Sequence, residues 1–250
     1  MKLLENKTAV IYGGGGSIGG AMGRAFAAEG ARVFLAGRTP EKLDAVAAAI
    51  RSEGGLAETA IVDALDESAV NGWVDSVATQ TGSIDISVNV ISQDALFVPM
   101  LDMPVAAFGQ AMEKVARSFL LTTQAAARHM VKQGSGVILQ FGGSDPTNST
   151  PNLGTVQAGC DLVEGMRRQW ACELGPSSVR VVSMRTGGIP EGLPDVPEMA
   201  PFKQQMIDAT LLKRAATLED VGRVAVFLVS DHARTITSTQ VNISCGALVD

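Results

Sequence analysis

The chain has 250 residues, of which 46% are hydrophobic and 18% are charged, and its formal net charge at pH 7 is -6. This composition argues against intrinsic disorder and predicts a single folded domain over residues 1–250. The net negative charge argues against a nucleic-acid partner, which would require a surface of clustered Lys and Arg side chains.

The sequence also argues against membrane-spanning and metal-binding classes. No apolar run reaches the roughly 18 residues of a membrane span, and the first residues lack the long apolar segment of a secretory signal. Cys160, Cys172 and Cys245 are scattered without the C-x-x-C spacing of metal or redox sites. The two histidines, His129 and His232, are far apart in the chain. We therefore expect a cytoplasmic protein without a metal site.

Short apolar runs alternate along the chain with helix-length amphipathic segments, which is the pattern of repeated strand–helix–strand units. Most of the runs are almost continuously apolar, as expected of strands that are buried on both faces. The predicted strands are Thr8–Tyr12, Arg32–Ala36, Glu58–Val62, Ile84–Val90, Gly136–Phe141, Val179–Met184 and Thr239–Ile243.

Between the predicted strands, apolar residues recur at helical spacing, and we interpret these stripes as helix faces that pack on a sheet. The stripes are Val70, Trp73, Val74 and Val77; Phe108, Met112, Phe119, Thr123, Ala126 and Met130; and Leu162, Val163, Met166, Trp170 and Leu174. Four prolines within Gly187–Pro201 predict an irregular segment, because proline lacks a backbone donor. We expect residues 187–212 to form a cover over a substrate pocket.

A glycine-rich turn follows the first predicted strand and precedes a helical pattern. Within it, G-x-G-x-x-G occurs in the strand–turn–helix context typical of dinucleotide binding. Glycines let the backbone approach a pyrophosphate, which then rests on the helix N-terminus. The residues predicted to bind the cofactor here are Gly13, Gly14, Gly16, Ser17, Ile18 and Gly19. With the alternating elements, the motif predicts an α/β fold of the Rossmann type, a doubly wound seven-stranded parallel sheet with helices on both faces.

The end of the second predicted strand indicates which dinucleotide binds. NAD sites usually place an acidic residue about 20 residues after the glycines, where it bonds the ribose 2′-hydroxyl. This chain has Arg38 near that position instead. Because a guanidinium forms charge-assisted hydrogen bonds with a phosphate, Arg38 favours NADP(H) over NAD(H).

Together with the glycine-rich turn, several ordered segments resemble the short-chain dehydrogenase/reductase (SDR) family over essentially the whole chain. The turn is similar to the family pattern T-G-x-x-x-G-x-G, with Tyr12 in place of threonine and Ser17 in place of the second glycine. The other segments are Val62–Ala64, similar to the family's D-V step; Val88–Ser92, at the place of N-N-A-G; Ala171–Val181, similar to A-x-E-L-x-x…I-R-V; Thr186–Ile189, similar to P-G-x-I; and Leu211–Val221, similar to P-L-x-R…P-E-D-V.

The resemblance implies further cofactor contacts and an oligomer. Asp63 and Ala64 would hold the adenine ring, Asn89 is the first asparagine of the N-N-A-G segment, and the backbone of Ile189 would meet the nicotinamide amide. The segments around Phe108–Met130 and Leu162–Leu174 resemble the helices through which the family forms dimers and tetramers. We therefore expect a homo-oligomer, with a tetramer favoured over a dimer.

The same alignment places other residues at the family's four catalytic positions. The serine falls on Gly143, the tyrosine on Val156, the lysine on Cys160 and the asparagine on Val115. A shifted register does not restore them, because the single tyrosine is Tyr12 and no lysine lies between residues 132 and 203. The resemblance is therefore to a divergent member of the family, in which the sequence excludes the usual tyrosine–lysine mechanism.

Some nearby side chains remain candidates for a non-standard active site. Ser144 and Asp145 follow the vacated serine position, and Ser92 ends the fourth predicted strand beside the cofactor. Cys160 is polarisable, but an apolar setting would raise the pKa of its thiol, so a buried structural cysteine is the favoured interpretation. Asp145 is more readily interpreted as a solvated loop residue than as a general acid.

Three functional hypotheses follow from these features. The first is an NADP(H)-dependent oxidoreductase that reduces a small apolar acceptor, such as a conjugated carbonyl or enoyl group, through a non-standard proton source. The second is a catalytically degenerate member of the family that acts as an NADP(H)-binding or scaffold protein. A third, weaker hypothesis keeps the pocket for an isomerisation or cyclisation without redox chemistry. The sequence does not choose between turnover and binding.

Overall fold

The computed structural model describes residues 2–91, 93–142 and 150–249. Strands and helices alternate along most of these residues. The strands are β1 (Thr8–Tyr12), β2 (Arg32–Gly37), β3 (Leu56–Ile61), β4 (Ile86–Asn89), β5 (Gly136–Phe141), β6 (Val179–Arg185) and β7 (Thr239–Asn242). The helices are α1 (Ser17–Ala28), α2 (Pro40–Ser52), α3 (Glu67–Thr81), α4 (Val105–Gln133), α5 (Gly154–Leu174), α6 (Ala200–Asp208) and α7 (Leu218–Val229).

All strands belong to one parallel, seven-stranded sheet in the order β3-β2-β1-β4-β5-β6-β7. This is the predicted Rossmann-type sheet, and the fold prediction is confirmed. The strand order reverses between β1 and β4, and a crevice opens at such a switch point beyond the carboxyl ends of the strands. The topology therefore places a ligand site next to Tyr12 and Asn89, the last residues of these two strands.

Five predicted strands differ from the observed ones: β2, β6 and β7 by one residue at the C-terminal end, and β3 and β4 at both ends. β3 begins earlier than predicted, and it lies at the edge of the sheet, so that Leu56 and Ile61 are exposed and its apolar pattern is incomplete. β4 is shorter than predicted because Asp85, before the strand, accepts a hydrogen bond from the Thr8 backbone N–H through its side chain, at 2.8 Å. After the strand, the side chain of Asn89 accepts from the backbone N–H of Ile91, at 3.0 Å, where the ladder ends.

Apolar side chains cover both faces of the sheet. On one face, Met22 and Phe26 of α1 pack with residues of α2 and α7. On the other, Val74 of α3, Phe119 of α4 and Val163 of α5 belong to a second cluster. Each predicted stripe lies on one of these last three helices, as expected of helices that cover a parallel sheet.

Residues 187–212, predicted to be an irregular cover, contain α6 and two single turns of 3₁₀ helix, Pro190–Gly192 and Pro197–Met199. Pro190 and Pro197 each begin one of the 3₁₀ turns, and the N-terminal turn of a helix tolerates the missing donor. The prolines therefore start short helices in this segment. Its action as a cover stays a prediction. No helix within the described ranges is long and apolar enough to cross a membrane.

Candidate cofactor cleft and active site

A cleft of about 400 Å³ lies beyond the carboxyl ends of β1 to β4, at the predicted switch point. Its floor is the glycine-rich turn, and its walls come from the residues that follow β2, β3 and β4. Lys114 and Ser118 of α4 close the remaining side. The cleft is therefore an elongated space along the edge of the sheet where a dinucleotide can lie.

The glycine-rich turn passes so close to its own helix that side chains do not fit. A Cβ atom on Gly19 would lie 2.4 Å from the carbonyl oxygen of Gly13. Gly13 itself has a φ of 80°, in the left-handed region that favours glycine. A Cβ on Gly14 would lie 2.9 Å from the Cβ of Leu35. The turn needs glycine for its own folding as well as for the approach of a ligand.

The turn leads the start of α1 into the cleft. Gly16 precedes the helix and supplies no side-chain cap, and no acidic residue occupies the first turn. The first backbone N–H groups of a helix lack intrahelical partners and attract anions. Of the predicted residues, Gly13, Gly16, Ser17, Ile18 and Gly19 line the cleft. These residues fit a pyrophosphate.

Gly14 is a predicted cofactor residue that does not line the cleft. It is buried under the turn against Leu35, and the neighbouring Gly15 lines the cleft in its place. The motif identifies the turn correctly, but the sequence does not indicate which glycine faces the ligand and which faces the core.

Two basic side chains stand at the outer end of the cleft. Arg38 follows β2, and Lys42 lies in the first turn of α2; both are exposed and line the cleft. Sequence reasoning found Arg38 but missed Lys42. Lys42 could have been recognised from the sequence, because it lies shortly after Arg38 and next to the start of α2, which Pro40 marks. Together they give this end of the cleft a positive charge, at the place where the adenosine ribose of a bound dinucleotide would lie.

The opposite wall is formed by the segment after β3. Asp63 and Ala64, predicted to bind the cofactor, line the cleft together with Leu65, which the sequence did not single out. The carboxylate of Asp63 accepts a hydrogen bond from the backbone N–H of Leu65, at 3.0 Å. The Leu65 carbonyl accepts from Arg117 Nε of α4, at 2.9 Å. These contacts fix the segment where an adenine ring is expected.

Asn89 organises the exit of β4 instead of lining the cleft. Its side chain is buried, donates to Thr122 Oγ1 of α4 at 3.1 Å and accepts from the backbone N–H of Ile91 at 3.0 Å. Ile91 and the preceding Val90 line the cleft. Ile189 is also buried, and it is not among the lining residues. Both residues were predicted to bind the cofactor.

An inner pocket lies behind the cleft, between the sheet and the helices α4 and α5. Val115, at the asparagine position of the family alignment, lines it together with Phe119 and Val163. The amide side chains of Gln93 and Gln140 also line it. Neither glutamine was singled out from the sequence, because each faces the pocket only through long-range packing.

α5 carries the other two catalytic positions that lie within the described residues. Val156 is half-buried, and Cys160 lies one helical turn later and is buried. Burial raises the pKa of the Cys160 thiol, and a hydrogen bond with Gln93 opposes this only in part. A thiol with a raised pKa stays protonated near neutral pH, so Cys160 is a poor nucleophile. The remaining candidates, Ser92, Ser144 and Asp145, and the serine position Gly143 lie outside the described residues.

The single tyrosine of the chain belongs to the core beneath the cleft. Tyr12 is 1% exposed and packs edge-on against the ring of Trp73, with ring centroids 5.1 Å apart. Burial raises the pKa of its hydroxyl well above the usual range, so the group keeps its proton. Among the described residues, no group of three or more His, Cys, Asp or Glu side chains is arranged to hold a metal ion.

Comparisons with known proteins agree with this geometry. A family model described as "Enoyl-(Acyl carrier protein) reductase" matches residues 14–247. The chain is similar to "Oxidoreductase asL5" of Sarocladium schorii, with 30% identity over 97% of this chain and 96% of that protein. It is 28% identical to the 7alpha-hydroxysteroid dehydrogenase of Escherichia coli K12, over 98% of this chain and 95% of that protein.

The fold is also that of a solved structure, a short-chain type dehydrogenase/reductase from Mycobacterium ulcerans. The two chains are 26% identical and superpose with a TM-score of 0.90, over 98% of this chain and 90% of the other. The chain therefore belongs to the short-chain dehydrogenase/reductase family of oxidoreductases, as its sequence motifs predicted. Membership implies binding of a nicotinamide dinucleotide.

The close contact between Gly19 and Gly13 gives a first prediction. In Gly19→Ala, the new methyl group would meet the Gly13 carbonyl, so the turn must shift. We expect about 1–3 kcal/mol of destabilisation and a loss of at least about tenfold in dinucleotide affinity. Calorimetric titration with NADPH and NADH, together with thermal unfolding, measures both effects.

Gly72→Ala is the matched control. Gly72 lies in α3, and nothing comes within 4 Å of a Cβ placed there. It should keep the parent affinity and gain up to about 1 kcal/mol from helix propensity. Parent-like affinity in Gly19→Ala would show that the dinucleotide does not rest on this turn.

Proposed function

We propose that this protein binds NADP(H) in the cleft and transfers hydride between it and a small apolar acceptor with a conjugated carbonyl or enoyl group. The proposal is carried by one observation: a cleft with two cations at its adenosine end shares lining residues with an inner pocket where Val115 stands at the aligned asparagine position and Lys114 is paired with Asp94. The cofactor supplies the hydride. The chain supplies binding and orientation, and the one charged side chain among the described residues of the inner pocket, Lys114, is paired with Asp94 Oδ1 at 2.5 Å.

The preference for NADP(H) follows from the charges around the cleft. Arg38 and Lys42 both line its outer end, and Asp63 is the one carboxylate among the described lining residues. Asp63 belongs to the opposite wall, after β3, and its side chain already accepts from the backbone of Leu65. A 2′-phosphate would therefore meet two cations, and a guanidinium can bind it through two parallel hydrogen bonds.

The class of acceptor follows from the side chains at the catalytic positions. Val115 and Val156 have no polar atom to offer, and Cys160 keeps its proton. A saturated ketone needs a general acid, which contributes roughly 10²–10⁴ in rate. Hydride addition to a conjugated acceptor gives a delocalised, less basic anion that needs less acid assistance. The site is thus better matched to enoyl or conjugated carbonyl groups than to simple ketones.

A second candidate function is cofactor-dependent binding without turnover. It is favoured by the way the segment after β4 is fastened to α5 near Val156 and Cys160. Thr155 Oγ1 donates to the carbonyl of Asp94 at 2.9 Å and accepts from the backbone N–H of Leu96 at 3.2 Å. In this hypothesis the protein is a catalytically degenerate member of the family, and NADP(H) occupancy stabilises a scaffold. Both functions require the same cofactor cleft.

We also propose a cytoplasmic homo-oligomer, with a tetramer favoured over a dimer, formed through α4 and α5. Leu120 and Val131 of α4 are 40% and 43% exposed, so this helix has apolar surface to bury. Light scattering at micromolar concentration should give a mass of several chains. A stable mass of one chain, 26.0 kDa, would contradict the prediction.

Replacing Arg38 tests the cofactor preference. Hydrogen bonds to charged groups contribute roughly 1.5–3 kcal/mol, so Arg38→Asp should weaken NADPH binding by about ten- to a hundredfold. It should also reverse the preference, because a carboxylate repels the 2′-phosphate and can bond a 2′-hydroxyl. Calorimetry with NADPH and NADH gives all four affinities. Lys132→Asp makes the same charge change at the far end of α4, and it should leave both the NADPH affinity and the cofactor preference unchanged. Equal affinities of the parent protein for NADPH and NADH would contradict the proposed preference.

Turnover is tested with a matched pair of acceptors. NADPH fluorescence is followed after addition of 2-cyclohexen-1-one or the saturated cyclohexanone, with the parent protein at saturating NADPH. We expect oxidation with the enone and none above background with the ketone. Tight NADPH binding without oxidation by a panel of enones and enoyl thioesters would favour the binding protein. Equal rates with both acceptors would show that an unassigned general acid is present.

A further inference from the structure

The inner pocket has a volume of about 10 Å³, enough for a single oxygen-sized group. It is not isolated from the cofactor cleft, because Ile91, Lys114 and Ser118 line both spaces. Its walls combine apolar side chains of α4 and α5 with the polar groups of the sheet edge. Nothing in the proposed hydride transfer uses these polar groups.

Most hydrogen-bond donors around the inner pocket already have an oxygen acceptor. These committed donors are Asn89 Nδ2 to Thr122 Oγ1 (3.1 Å), Gln140 Nε2 to the carbonyl of Phe141 (3.0 Å), Ser118 Oγ to the carbonyl of Val115 (3.1 Å) and Lys114 Nζ to Asp94 Oδ1 (2.5 Å). Each of these groups is thus already held by at least one oxygen, and Lys114, whose ammonium has three N–H donors, is held by a carboxylate.

Gln93 is different, because its amide N–H meets sulfur. Gln93 Nε2 lies 3.4 Å from Cys160 Sγ, and a thiol sulfur is only a weak acceptor. The amide lies flat on α5, where a Cβ atom on Gly159 would come within 2.8 Å of Gln93 Oε1. The absence of a side chain on Gly159 therefore makes room for Gln93. The Gln93 amide can therefore exchange its hydrogen bond to sulfur for one to an oxygen acceptor at little cost in free energy.

Gln140 offers the complementary acceptor. Its side chain is 5% exposed, and Oε1 has no hydrogen-bond partner among the described residues. A buried carbonyl oxygen without a donor is costly and calls for an occupant that can donate. Among the described side chains that line the inner pocket, Gln93 is thus the donor without an oxygen acceptor, and Gln140 Oε1 is a buried acceptor without a donor.

We propose that the inner pocket binds one hydroxyl oxygen, of water or of an alcohol, which accepts a hydrogen bond from Gln93 and donates one to Gln140. A carbonyl or ether oxygen satisfies only Gln93, and an ammonium group satisfies only Gln140. A hydroxyl satisfies both and matches the volume. The water form is independent of the proposed function, whereas the alcohol form rests on it, since the alcohol would reach the pocket from the cleft.

Thr155 holds the donor in place for this site. Its hydroxyl is buried and fastens the backbone of Asp94 and Leu96 to α5, immediately after Gln93. The backbone that follows Gln93 is therefore fixed before an occupant arrives, which lowers the conformational entropy lost on binding.

A double-mutant cycle with Gln93→Met and Gln140→Met tests for a shared occupant. No hydrogen bond joins the two glutamines within the described part of the chain, so independent side chains should give additive changes in stability. A bridging oxygen couples them, and we expect about a fivefold or larger departure from additivity in the unfolding equilibrium constant, measured in urea. Gln93→Met combined with Gln80→Met of α3 is the control and should be additive within about twofold. Additivity of the first pair would overturn the proposal.

High-resolution crystal structures of the protein separate the two sources. Without cofactor, we expect a density peak within hydrogen-bonding distance of Gln93 Nε2 and Gln140 Oε1. With NADP⁺ and allyl alcohol, density that continues into the cleft identifies the alcohol, and an isolated peak identifies water. An empty pocket, or one filled by a side chain, overturns the proposal. The double-mutant cycle and the cofactor-free structure need no NADPH. If the protein did not bind NADPH, the proposed function would fail, but these two tests of the inner pocket would still be valid.

Discussion

The approach of α1 to the end of β1 is the constraint on which the cleft depends. The carbonyl of Gly13 and the α-carbon of Gly19 are so close that a Cβ on the latter would lie 2.4 Å from the oxygen. This contact lets the helix begin directly beyond the strand and aim its N-terminus along the sheet edge. The rest of the fold supports the same contact. Gly222 of α7 lies where a Cβ would be 2.8 Å from the Cβ of Ala25, so α7 packs closely on the outside of α1.

The sequence could predict the parts of this molecule that depend on local pattern. Buried parallel strands are continuous apolar runs, and the glycine turn has a recognisable context, so the seven-stranded parallel sheet and the place of the turn between β1 and α1 could be predicted from the residues. Prediction failed where the local sequence pattern does not show whether a residue points into the cleft or into the core. Gly14 and Gly16 look alike in the motif, yet only Gly16 lines the cleft. The edge strand β3 was misplaced because an exposed edge dilutes its apolar signal.

The inner pocket could not have been predicted in this way. Gln93, Gln140 and Cys160 are separated by long stretches of chain, and only the packing of α5 against the exit of β4 brings the first and last together, at 3.4 Å. A glutamine in a loop or a strand has no periodicity that marks it. The alignment with the family indicated which positions had changed, but the side chains that face those positions come from other elements.

Binding and chemistry are separable in this fold. The outer end of the cleft presents backbone N–H groups and the cations Arg38 and Lys42, and groups of this kind attract phosphate independently of the chemistry at the other end. The other end contains amides, the paired cation Lys114 and a thiol whose pKa is raised by burial. An amide can orient an oxygen but does not exchange protons near neutral pH, so Gln93 and Gln140 can stabilise a group without acting as acid or base. The proposed acceptor, whose anion is already delocalised, and the alternative of binding without turnover both follow from this separation of the two ends.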